Sequence, residues 1–252
     1  MNRIKDFQEL ETRIVTWIKD YVTKNKLNSL VVGVSGGIDS AVVSTLCART
    51  GLPTYVLSMP LDSNSKNDDL SDHYTNYLED NFENVTKIRV DLGKVYHTFM
   101  DSLDWWCGDG EYTNSGLANA NTKSRMRMVT LYQVAGSRNG IVVGTGNKVE
   151  DYGIGFYTKY GDGGVDIAPI ADLYKTEVWE LGKYLGVDQR IIDAPPTDGL
   201  WDDSRTDEDQ IGASYEDLEY AMEHGTGPAV RILHESNAKN KHKMNPIPTF
   251  KL

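Results

Sequence analysis

Cysteine is scarce in this chain, with only Cys47 and Cys107 among 252 residues. Neither belongs to a C-x-x-C pair, so the sequence offers no disulfide framework and no zinc-binding motif. Isolated cysteines are often buried in protein cores, and we expect both to be buried thiols. Because nothing indicates secretion, we do not expect the sequon that begins at Asn84 to carry a sugar.

Long apolar runs are absent as well. No stretch approaches the ~20 apolar residues that cross a bilayer, and the charged residues 1–6 are not the start of a signal peptide. Positive charge is also in short supply, since 26 Lys and Arg stand against 37 Asp and Glu, a formal net charge of -11. Such a chain repels nucleic acid. We therefore expect a cytoplasmic protein that binds neither membranes nor nucleic acid.

Short apolar segments alternate with helical patterns from the N-terminus to Gly144. Strands are predicted at 30–34, 53–59, 85–91 and 141–144, and helices at 4–21, 39–49, 66–80 and 117–137. The predicted strands are almost continuously apolar, which is typical of a parallel sheet with helices on both faces. We therefore predict a doubly wound, mostly parallel α/β fold that binds its ligand beyond the carboxyl ends of the strands.

The second half of the chain is less regular. Glycine, tyrosine and aspartate dominate 153–164, which indicates a loop or a hairpin. Helices are predicted at 172–185, 214–224 and 228–238, a basic tail follows at 239–252, and the polar segments 61–72 and 201–210 are expected to be mobile. We find no internal repeat, and 252 residues fit a single domain.

A glycine-rich loop, Ser35-Gly36-Gly37-Ile38-Asp39-Ser40, joins the first predicted strand to the next helix. Glycines let the backbone approach an anion, and the amides and dipole of a helix start favour negative charge. Ser35 and Ser40 add hydroxyl donors. Asp39 would repel a phosphate directly, but it is suited to hold Mg²⁺ that bridges to phosphate oxygens. The alternative is a plain strand-to-helix turn with Asp39 as the helix cap.

The full string Gly33-Val34-Ser35-Gly36-Gly37-Ile38-Asp39-Ser40 is not a Walker loop, because it has no G-x-x-x-x-G-K-[ST] pattern. It is similar to the signature of the ATP pyrophosphatase superfamily, whose members cleave ATP to AMP and pyrophosphate. The resemblance implies an adenine nucleotide alpha hydrolase-like fold. It also implies that residues 33–40 bind ATP and hold the pyrophosphate leaving group.

Further motifs narrow the resemblance. They are Asn119 to Met128, Gly144 to Glu150, Phe156 to Asp166, Pro169 to Thr176, Pro195 to Thr197, Thr206 to Asp209 and His242-Lys243. In order and spacing they resemble the ammonia-dependent NAD synthetases, most specifically over 144–176. The resemblance implies that deamido-NAD⁺, ATP and ammonia react with Mg²⁺ present, through a nicotinate adenylate, to NAD⁺, AMP and pyrophosphate. It also implies a homodimer without a glutaminase domain, with Trp17 and Tyr21 at the interface.

The same resemblance assigns individual residues to the substrates. For ATP these are residues 33–40, Thr145, Lys175 and Thr197; for deamido-NAD⁺ they are Arg125, Lys159, Asp166, His242 and Lys243; for Mg²⁺ they are Asp39 and Glu150. Asp39 and Lys175 are implied as the catalytic pair. The pyrophosphate and carboxylate of the dinucleotide are anionic, and Arg and Lys are the side chains that bind such groups, so the residue types are consistent with the assignment.

Two of these assignments have rivals. Arg125 and Arg127 are two apart on a predicted helix and face different directions, so we expect only one to bind substrate. The spacing to Thr145 favours Arg125. The segment from Glu150 to Lys159 is one residue longer than the family pattern, which leaves Asp151 as an alternative metal ligand.

Two other classes of function remain open. Enzymes with the same loop include tRNA thiolases, lysidine-forming enzymes and GMP synthetases. The first two need a basic RNA surface or reactive cysteines, and the third has a C-terminal dimerisation domain that is not evident here. A nucleotide-binding regulator without catalysis is the second class, and the presence of Asp39, Glu150 and Lys175 argues against it.

Overall fold

The computed structural model describes residues 3–61, 66–103, 115–197, 199–201 and 205–251. The strands in these ranges are β1 (Ser29–Gly33), β2 (Thr54–Ser58), β3 (Val85–Arg89) and β4 (Gly140–Val142). They pair in parallel in the order β3-β2-β1-β4. All four predicted strands are thus confirmed, although β1 begins and ends one residue earlier than predicted and the other three are shorter than predicted.

Helices connect and cover these strands. They are α1 (Phe7–Lys24), α2 (Ile38–Arg49), α3 (Lys66–Asn81), α4 (Gly93–Asp101), α5 (Ser115–Ser137), a π-helix (Val149–Ile154), α6 (Lys175–Leu185), α7 (Gln189–Ile192), α8 (Asp207–Ile211), α9 (Tyr215–His224) and α10 (Val230–Met244). No helix of the described ranges is both long and apolar enough to cross a membrane.

Alternate side chains of the strands enter two cores on opposite faces of the sheet. Leu30 and Val32 of β1 belong to the core that α1, α2, α3 and α6 cover, whereas Val31 belongs to the core under α4 and α5. Because both faces are buried, a strand here must be apolar at nearly every position. The doubly wound α/β prediction is therefore confirmed. Cys47 is buried in the first core, as expected, while Cys107 lies outside the described residues.

The strand order creates a crevice at the carboxyl edge of the sheet. From β1 the chain passes outward to β2 and β3, and then returns to place β4 on the other side of β1. Loops that leave β1 and β4 therefore diverge, and such a switch point is where open α/β sheets bind ligands. The glycine-rich loop follows β1, and the segment that contains Thr145 follows β4, so both lie at this crevice.

A third core joins the C-terminal helices to the π-helix, with Tyr215, Leu218 and Leu233 among its buried residues. Here α10 is longer than predicted, because it continues from 238 to Met244. Its polar side chains explain the extension. The amide nitrogens of Asn237 and Asn240 donate to the carbonyls of residues 153 and 154, both at 2.8 Å, at the end of the π-helix. The expected basic tail therefore begins as the last turn of a helix.

Several other elements differ from the predictions. Helices α4 and α7 and the π-helix were not predicted, and α8 lies within the segment expected to be mobile. Helix α6 begins at Lys175 rather than at 172, because the Glu177 carboxylate accepts a hydrogen bond from the Tyr174 amide (2.9 Å) and ends the preceding turn. Residues 62–65 and 202–204, in the two segments expected to be mobile, lie outside the described residues.

Candidate functional site

The loop after β1 holds its shape through its own side chains. Gly36 has φ 87°, a left-handed conformation that favours glycine. The Ser40 hydroxyl accepts a hydrogen bond from the Ser35 amide (3.1 Å) and donates one to the Gly37 carbonyl (2.9 Å). The start of α2 consequently faces the crevice as a set of backbone amides, which is suited to an anion.

Asp39 does not cap α2. The helix begins after Gly37, and no side chain caps it. The Asp39 carboxylate instead accepts hydrogen bonds from the Asn147 amide (3.1 Å) and from the Lys175 ammonium (2.5 Å). The carboxylate is thus turned from its own helix toward residues that follow β4, which excludes the reading of the loop as a plain capped turn.

The Lys175 ammonium is the centre of a buried charged cluster. Its side chain is only 3% exposed, and it binds Asp39 Oδ2 and, at 3.2 Å, Glu150 Oε1. The Tyr215 hydroxyl donates to the same Glu150 oxygen (2.7 Å), and the Tyr215 ring lies 4.9 Å from the ammonium. The start of α2, the π-helix, the start of α6 and the start of α9 therefore meet at one point.

The cluster carries more negative than positive charge. Burial alone would lower the pKa of Lys175, but the nearby carboxylates of Asp39 and Glu150 outweigh burial and raise it, so the ammonium stays charged. Burial raises the pKa of Glu150, and the attraction of Lys175 only partly offsets that effect. Two carboxylates share one ammonium here, which leaves an electrostatic demand for a further cation.

Asp151 points to a different place from Glu150. Its carboxylate lies against Gly146, where an added Cβ would be 2.3 Å from Oδ1. Burial raises the pKa of Asp151 to about 7, and the negative charges of Glu150, Asp162 and Asp39 add to the effect. Of the two rival metal ligands, Glu150 is therefore the one that shares the Lys175 ammonium with Asp39.

A cavity of about 970 Å³ opens above the cluster. This volume is at the upper end of the range for small-molecule sites. The predicted site residues on its wall are Gly33, Val34, Ser35, Gly37, Ile38, Asp39, Ser40, Arg125, Thr145, Glu150, Lys159, Lys175, Thr197, His242 and Lys243. Residues more than 200 positions apart in the chain, from Gly33 to Lys243, thus line one space.

Asp166 does not line this cavity, although its neighbour Val165 does. One Asp166 oxygen accepts a hydrogen bond from the Val142 amide (2.7 Å), and the other accepts one from the Tyr132 hydroxyl (3.1 Å). These contacts tie the end of β4 to α5. Asp166 therefore has a visible structural role in this conformation.

Two arginines of α5, Arg125 and Arg127, border the cavity, and the expectation that only Arg125 binds substrate stays a prediction. Arg125 Nε donates to the Lys159 carbonyl (3.3 Å), on the side of the 157–164 loop. Arg127 Nε donates to the Met59 carbonyl (3.3 Å), beyond the end of β2. Because α5 passes along the wall, side chains that leave it in different directions border different parts of one cavity.

Lys243 fixes the backbone at the far end of the cavity. Its ammonium donates to the carbonyls of Gly155 (2.6 Å) and Tyr157 (2.7 Å), and it lies 4.9 Å from the Tyr157 ring. Burial lowers the pKa of Lys243. Much of the hydrogen-bonding capacity of this ammonium thus holds the segment that leads to Lys159.

Two residues of the cluster were missed from the sequence. Asn147 lies within the Gly144 to Glu150 motif; its amide donates to Asp39, and its carbonyl oxygen accepts from the Glu150 amide (3.2 Å). Its position between Thr145 and Glu150, two predicted site residues, could have indicated that Asn147 belongs to the site. Tyr215 gave no signal, since it stands in an acidic stretch without a motif, and only the fold brings it to Glu150.

Replacing Tyr215 with phenylalanine should lower the free energy of unfolding by about 1–3 kcal/mol, because a buried carboxylate loses a donor. Denaturant unfolding measures the loss. The control is Tyr220→Phe in the same helix, whose side chain is 48% exposed and should change stability little. Equal losses in the two variants would contradict a specific bond to Glu150.

The profile of the NAD synthase family matches residues 10–246. The chain belongs to the NAD synthase family. Among relatives of this family, the NH₃-dependent NAD⁺ synthetase of Carboxydothermus hydrogenoformans is 38% identical over 242 residues, covering 94% of this chain and 95% of the relative. That of Alkaliphilus metalliredigens is 37% identical, covering 94% and 97%. The family's members are ligases, and so is this chain.

Two solved structures resemble this chain along its whole length. An NMN synthetase from Francisella tularensis has a TM-score of 0.87 and 32% identity, covering 99% of this chain and 100% of its own. An NH₃-dependent NAD synthetase from Campylobacter jejuni, in complex with nitrate, has a TM-score of 0.75 and 26% identity, covering 98% and 100%. An NMN synthetase and an NAD synthetase therefore both share this fold.

Proposed function

We propose that this NAD synthase converts deamido-NAD⁺, ATP and ammonia to NAD⁺, AMP and pyrophosphate. The observation that carries the proposal is the arrangement of Asp39, Glu150 and Lys175 beside the glycine-rich loop. This cluster lies in one cavity with the cationic side chains of Arg125 and Lys159. One end of the cavity is thus suited to a nucleoside triphosphate, and the other to the phosphates and carboxylate of a dinucleotide.

The first step activates the nicotinate carboxylate. A carboxylate oxygen attacks the α-phosphorus of ATP, the bond to the bridging oxygen breaks, and pyrophosphate leaves. The backbone amides at the start of α2 and the hydroxyls of Ser35 and Ser40 bind the departing pyrophosphate. Lys175 opposes the negative charge that develops on it. Because the protein holds both the carboxylate and ATP in place, two anions that would repel each other in solution react as neighbouring bound groups.

The second step forms the amide. Ammonia attacks the carbonyl carbon of the acyl adenylate, the bond to the AMP oxygen breaks, and the nitrogen loses one proton. A bare carboxylate repels nucleophiles, whereas the mixed anhydride has AMP as a good leaving group. Free ammonia is the proposed nitrogen source, because the relatives at 37–38% identity are NH₃-dependent NAD⁺ synthetases. We also propose that residues 1–252 form a single synthetase domain.

The donor set of the cluster fits Mg²⁺. Among the residues that the structure describes, no group of three or more His, Cys, Asp or Glu side chains could hold a metal by itself. Mg²⁺ is usually bound by one or two carboxylates together with substrate phosphates and water, so Asp39 and Glu150 suffice. When bound, Mg²⁺ would neutralise charge on the triphosphate.

The remaining cavity residues divide between the substrates. We propose Thr145 and Thr197 as further contacts to ATP. We propose Arg125, Lys159, His242 and Lys243 as contacts to deamido-NAD⁺. We also propose Asp166 as a contact to deamido-NAD⁺, because each of its oxygens accepts one protein hydrogen bond and has a further lone pair for the substrate.

The likeness to the Francisella structure favours a second candidate function. At 32% identity and a TM-score of 0.87, that NMN synthetase matches this chain along its whole length. The second candidate is therefore the same amidation carried out on nicotinate mononucleotide. The two candidates share the chemistry at Asp39 and Lys175, and differ in whether the cavity must accept the adenylyl half of a dinucleotide.

One assay separates these functions. The purified protein is given ATP, Mg²⁺ and ammonium with either deamido-NAD⁺ or nicotinate mononucleotide, and AMP and the amide product are measured. We expect equal amounts of AMP and NAD⁺ from deamido-NAD⁺, and no product when glutamine replaces ammonium. A higher kcat/KM with the mononucleotide would establish the second candidate, and ATP binding without turnover of either substrate would indicate a regulator.

Arg125→Ala should raise the KM for deamido-NAD⁺ about tenfold, through the loss of a charge-assisted contact, and should raise the KM for ATP much less. Steady-state kinetics with each substrate varied in turn measure the two effects. Arg231→Ala on the exposed face of α10 is the matched control, since the Arg231 side chain is 84% exposed and pairs with Glu235 of the same helix. A larger change in the KM for ATP would contradict the assignment.

We further propose that the enzyme is a cytoplasmic homodimer. Trp17 is 46% exposed on α1, and the Trp17 and Tyr21 rings lie 6.3 Å apart, centroid to centroid. Such a pair of aromatic side chains on one helix face is suited to an interface.

A further inference from the structure

The N-terminal residues of the chain contact the turn from which α6 begins. The Arg3 guanidinium binds the Glu177 carboxylate through two hydrogen bonds, from Nε (2.9 Å) and from Nη2 (2.6 Å). Nη2 also donates to the Asp172 carbonyl (2.8 Å). A pair of parallel N–H···O bonds fixes the orientation of a carboxylate as well as its position. Arg3 therefore fixes the Glu177 side chain, although the two residues are 174 positions apart in the chain.

Glu177 transmits this constraint to the residue next to Lys175. The Glu177 Oε2 atom that binds Arg3 also accepts a hydrogen bond from the Tyr174 amide (2.9 Å). The Glu177 side chain is only 5% exposed. A buried carboxylate that loses its cation is strongly disfavoured. Without Arg3, the Glu177 carboxylate should therefore turn toward water and release the Tyr174 amide.

Two cations also lie against the buried ring of Tyr174. The Arg3 Cζ atom is 4.3 Å from the ring centroid, and the Lys148 Nζ atom is 5.1 Å from it. Cations bind the face of an aromatic ring at such distances. Lys148 stands two positions before Glu150 in the chain, and Tyr174 directly precedes Lys175. The segments that carry the two partners of this ion pair therefore meet at the ring that Arg3 contacts.

A second anchor, on the other side of Lys175, determines how far the turn can move. The Glu219 carboxylate of α9 accepts hydrogen bonds from the Thr176 amide (3.0 Å) and from the Thr176 hydroxyl (2.6 Å). Lys175 thus lies between two anchored neighbours. Loss of Arg3 frees only one of them, so it should displace the ammonium without unfolding α6.

We propose that Arg3 is a positioning residue for Lys175. Arg3 is not one of the residues that line the cavity, so its effect on the reaction passes through the turn. The Lys175 ammonium has to reach Asp39 Oδ2 and Glu150 Oε1 at the same time. A small displacement of a group that acts on the transition state slows the reaction strongly. The inference rests on the proposed function, because the role of Lys175 in turnover is part of it.

Arg3→Ala tests the proposal through the separation of kcat from KM. We expect kcat to fall about tenfold, because the ammonium opposes charge that develops only in the transition state. The KM values for ATP and deamido-NAD⁺ should not change. Arg3→Lys keeps the charge and one donor, and its kcat should lie between those of Arg3→Ala and wild type. A wild-type kcat in Arg3→Ala, or a raised KM with kcat unchanged, would overturn the proposal.

Arg49→Ala is the matched control for a purely structural effect. The Arg49 guanidinium also pairs with a carboxylate, that of Glu11 (2.7 Å), and donates to a backbone carbonyl, that of Leu185 (3.1 Å). The Arg49 side chain is 31% exposed, against 33% for Arg3. Arg49 lies at the last residue of α2, whereas Asp39 lies at the start of this helix. Both variants should melt at a similarly lowered temperature, and equal losses of kcat in the two would overturn the proposal.

The NMR signal of the Lys175 side chain provides a readout that does not depend on turnover. In protein with ¹³C-labelled lysine, the Cε–Hε signal of Lys175 is identified as the one that Lys175→Arg lacks. This signal is sensitive to position, because the ammonium lies 4.9 Å from the Tyr215 ring centroid. It should shift in Arg3→Ala and stay in place in Arg49→Ala.

The two readouts together distinguish the possible failures. An unmoved Lys175 signal in Arg3→Ala would overturn the proposal, whatever the activity of the protein. If wild type formed neither amide product while the Lys175 signal still moved in Arg3→Ala, the proposed function would fail and Arg3 would still position Lys175.

Discussion

Asp39→Asn should reduce pyrophosphate release about 10²–10³-fold while leaving the fold intact. Asparagine keeps the size of the side chain, and its one carbonyl oxygen can still accept from the Lys175 ammonium. It lacks the negative charge that would hold Mg²⁺ beside the triphosphate. Pyrophosphate release under saturating ATP, deamido-NAD⁺ and Mg²⁺ measures the effect.

Two controls make the Asp39 result interpretable. Asp80→Asn removes an equal charge from the exposed face of α3 and should release pyrophosphate at the wild-type rate. Circular dichroism and a thermal melt of Asp39→Asn should match those of wild type to within a few degrees. Undiminished pyrophosphate release from Asp39→Asn would show that this carboxylate has no part in catalysis.

Lys175→Met should both abolish turnover and lower the free energy of unfolding by about 3–5 kcal/mol, because it leaves two carboxylates without their shared cation. Methionine has a similar length, so the change removes charge rather than volume. Denaturant unfolding and the amidation assay measure the two effects. Lys183→Met is the matched control, since Lys183 lies in the same helix with its side chain 53% exposed.

The loss in Lys175→Met should depend on pH in a defined direction. Without the ammonium, burial raises the pKa of Glu150 in the folded state above its unfolded value. Stability is then greatest below the unfolded pKa and falls as pH rises through the folded pKa. The difference from wild type should therefore be larger at about pH 8 than at about pH 5. A loss that is equal at both pH values would place its origin in packing instead.

The sheet and the glycine-rich loop could be predicted because their determinants are local. A strand buried on both faces needs an apolar residue at nearly every position, and residues 30–34 show this without reference to the rest of the chain. The loop that follows has its glycines and hydroxyls in one short segment. Motif resemblance then located Lys175 and Glu150, although no local pattern indicates that these side chains meet Asp39.

The elements that were missed depend on contacts between distant segments. The π-helix ends in carbonyls that Asn237, Asn240 and Lys243 satisfy, and these partners lie more than 80 positions away. The same contacts extend α10 through a polar sequence that predicts a tail. Tyr215 likewise acquires its role only through the third core. Periodicity within a window carries no information about such pairs.

The distances along the chain within the charged cluster bear on how the protein acquires its activity. Lys175 and Asp39 are 136 positions apart, and Tyr215 and Glu150 are 65 apart. Contacts of such long range form late and slow the search for the native state. A chain still emerging from the ribosome can begin its sheet, but it has neither the cation nor the hydroxyl that completes the cluster. Competence to activate a carboxylate should consequently arise in one step, when the C-terminal helices dock.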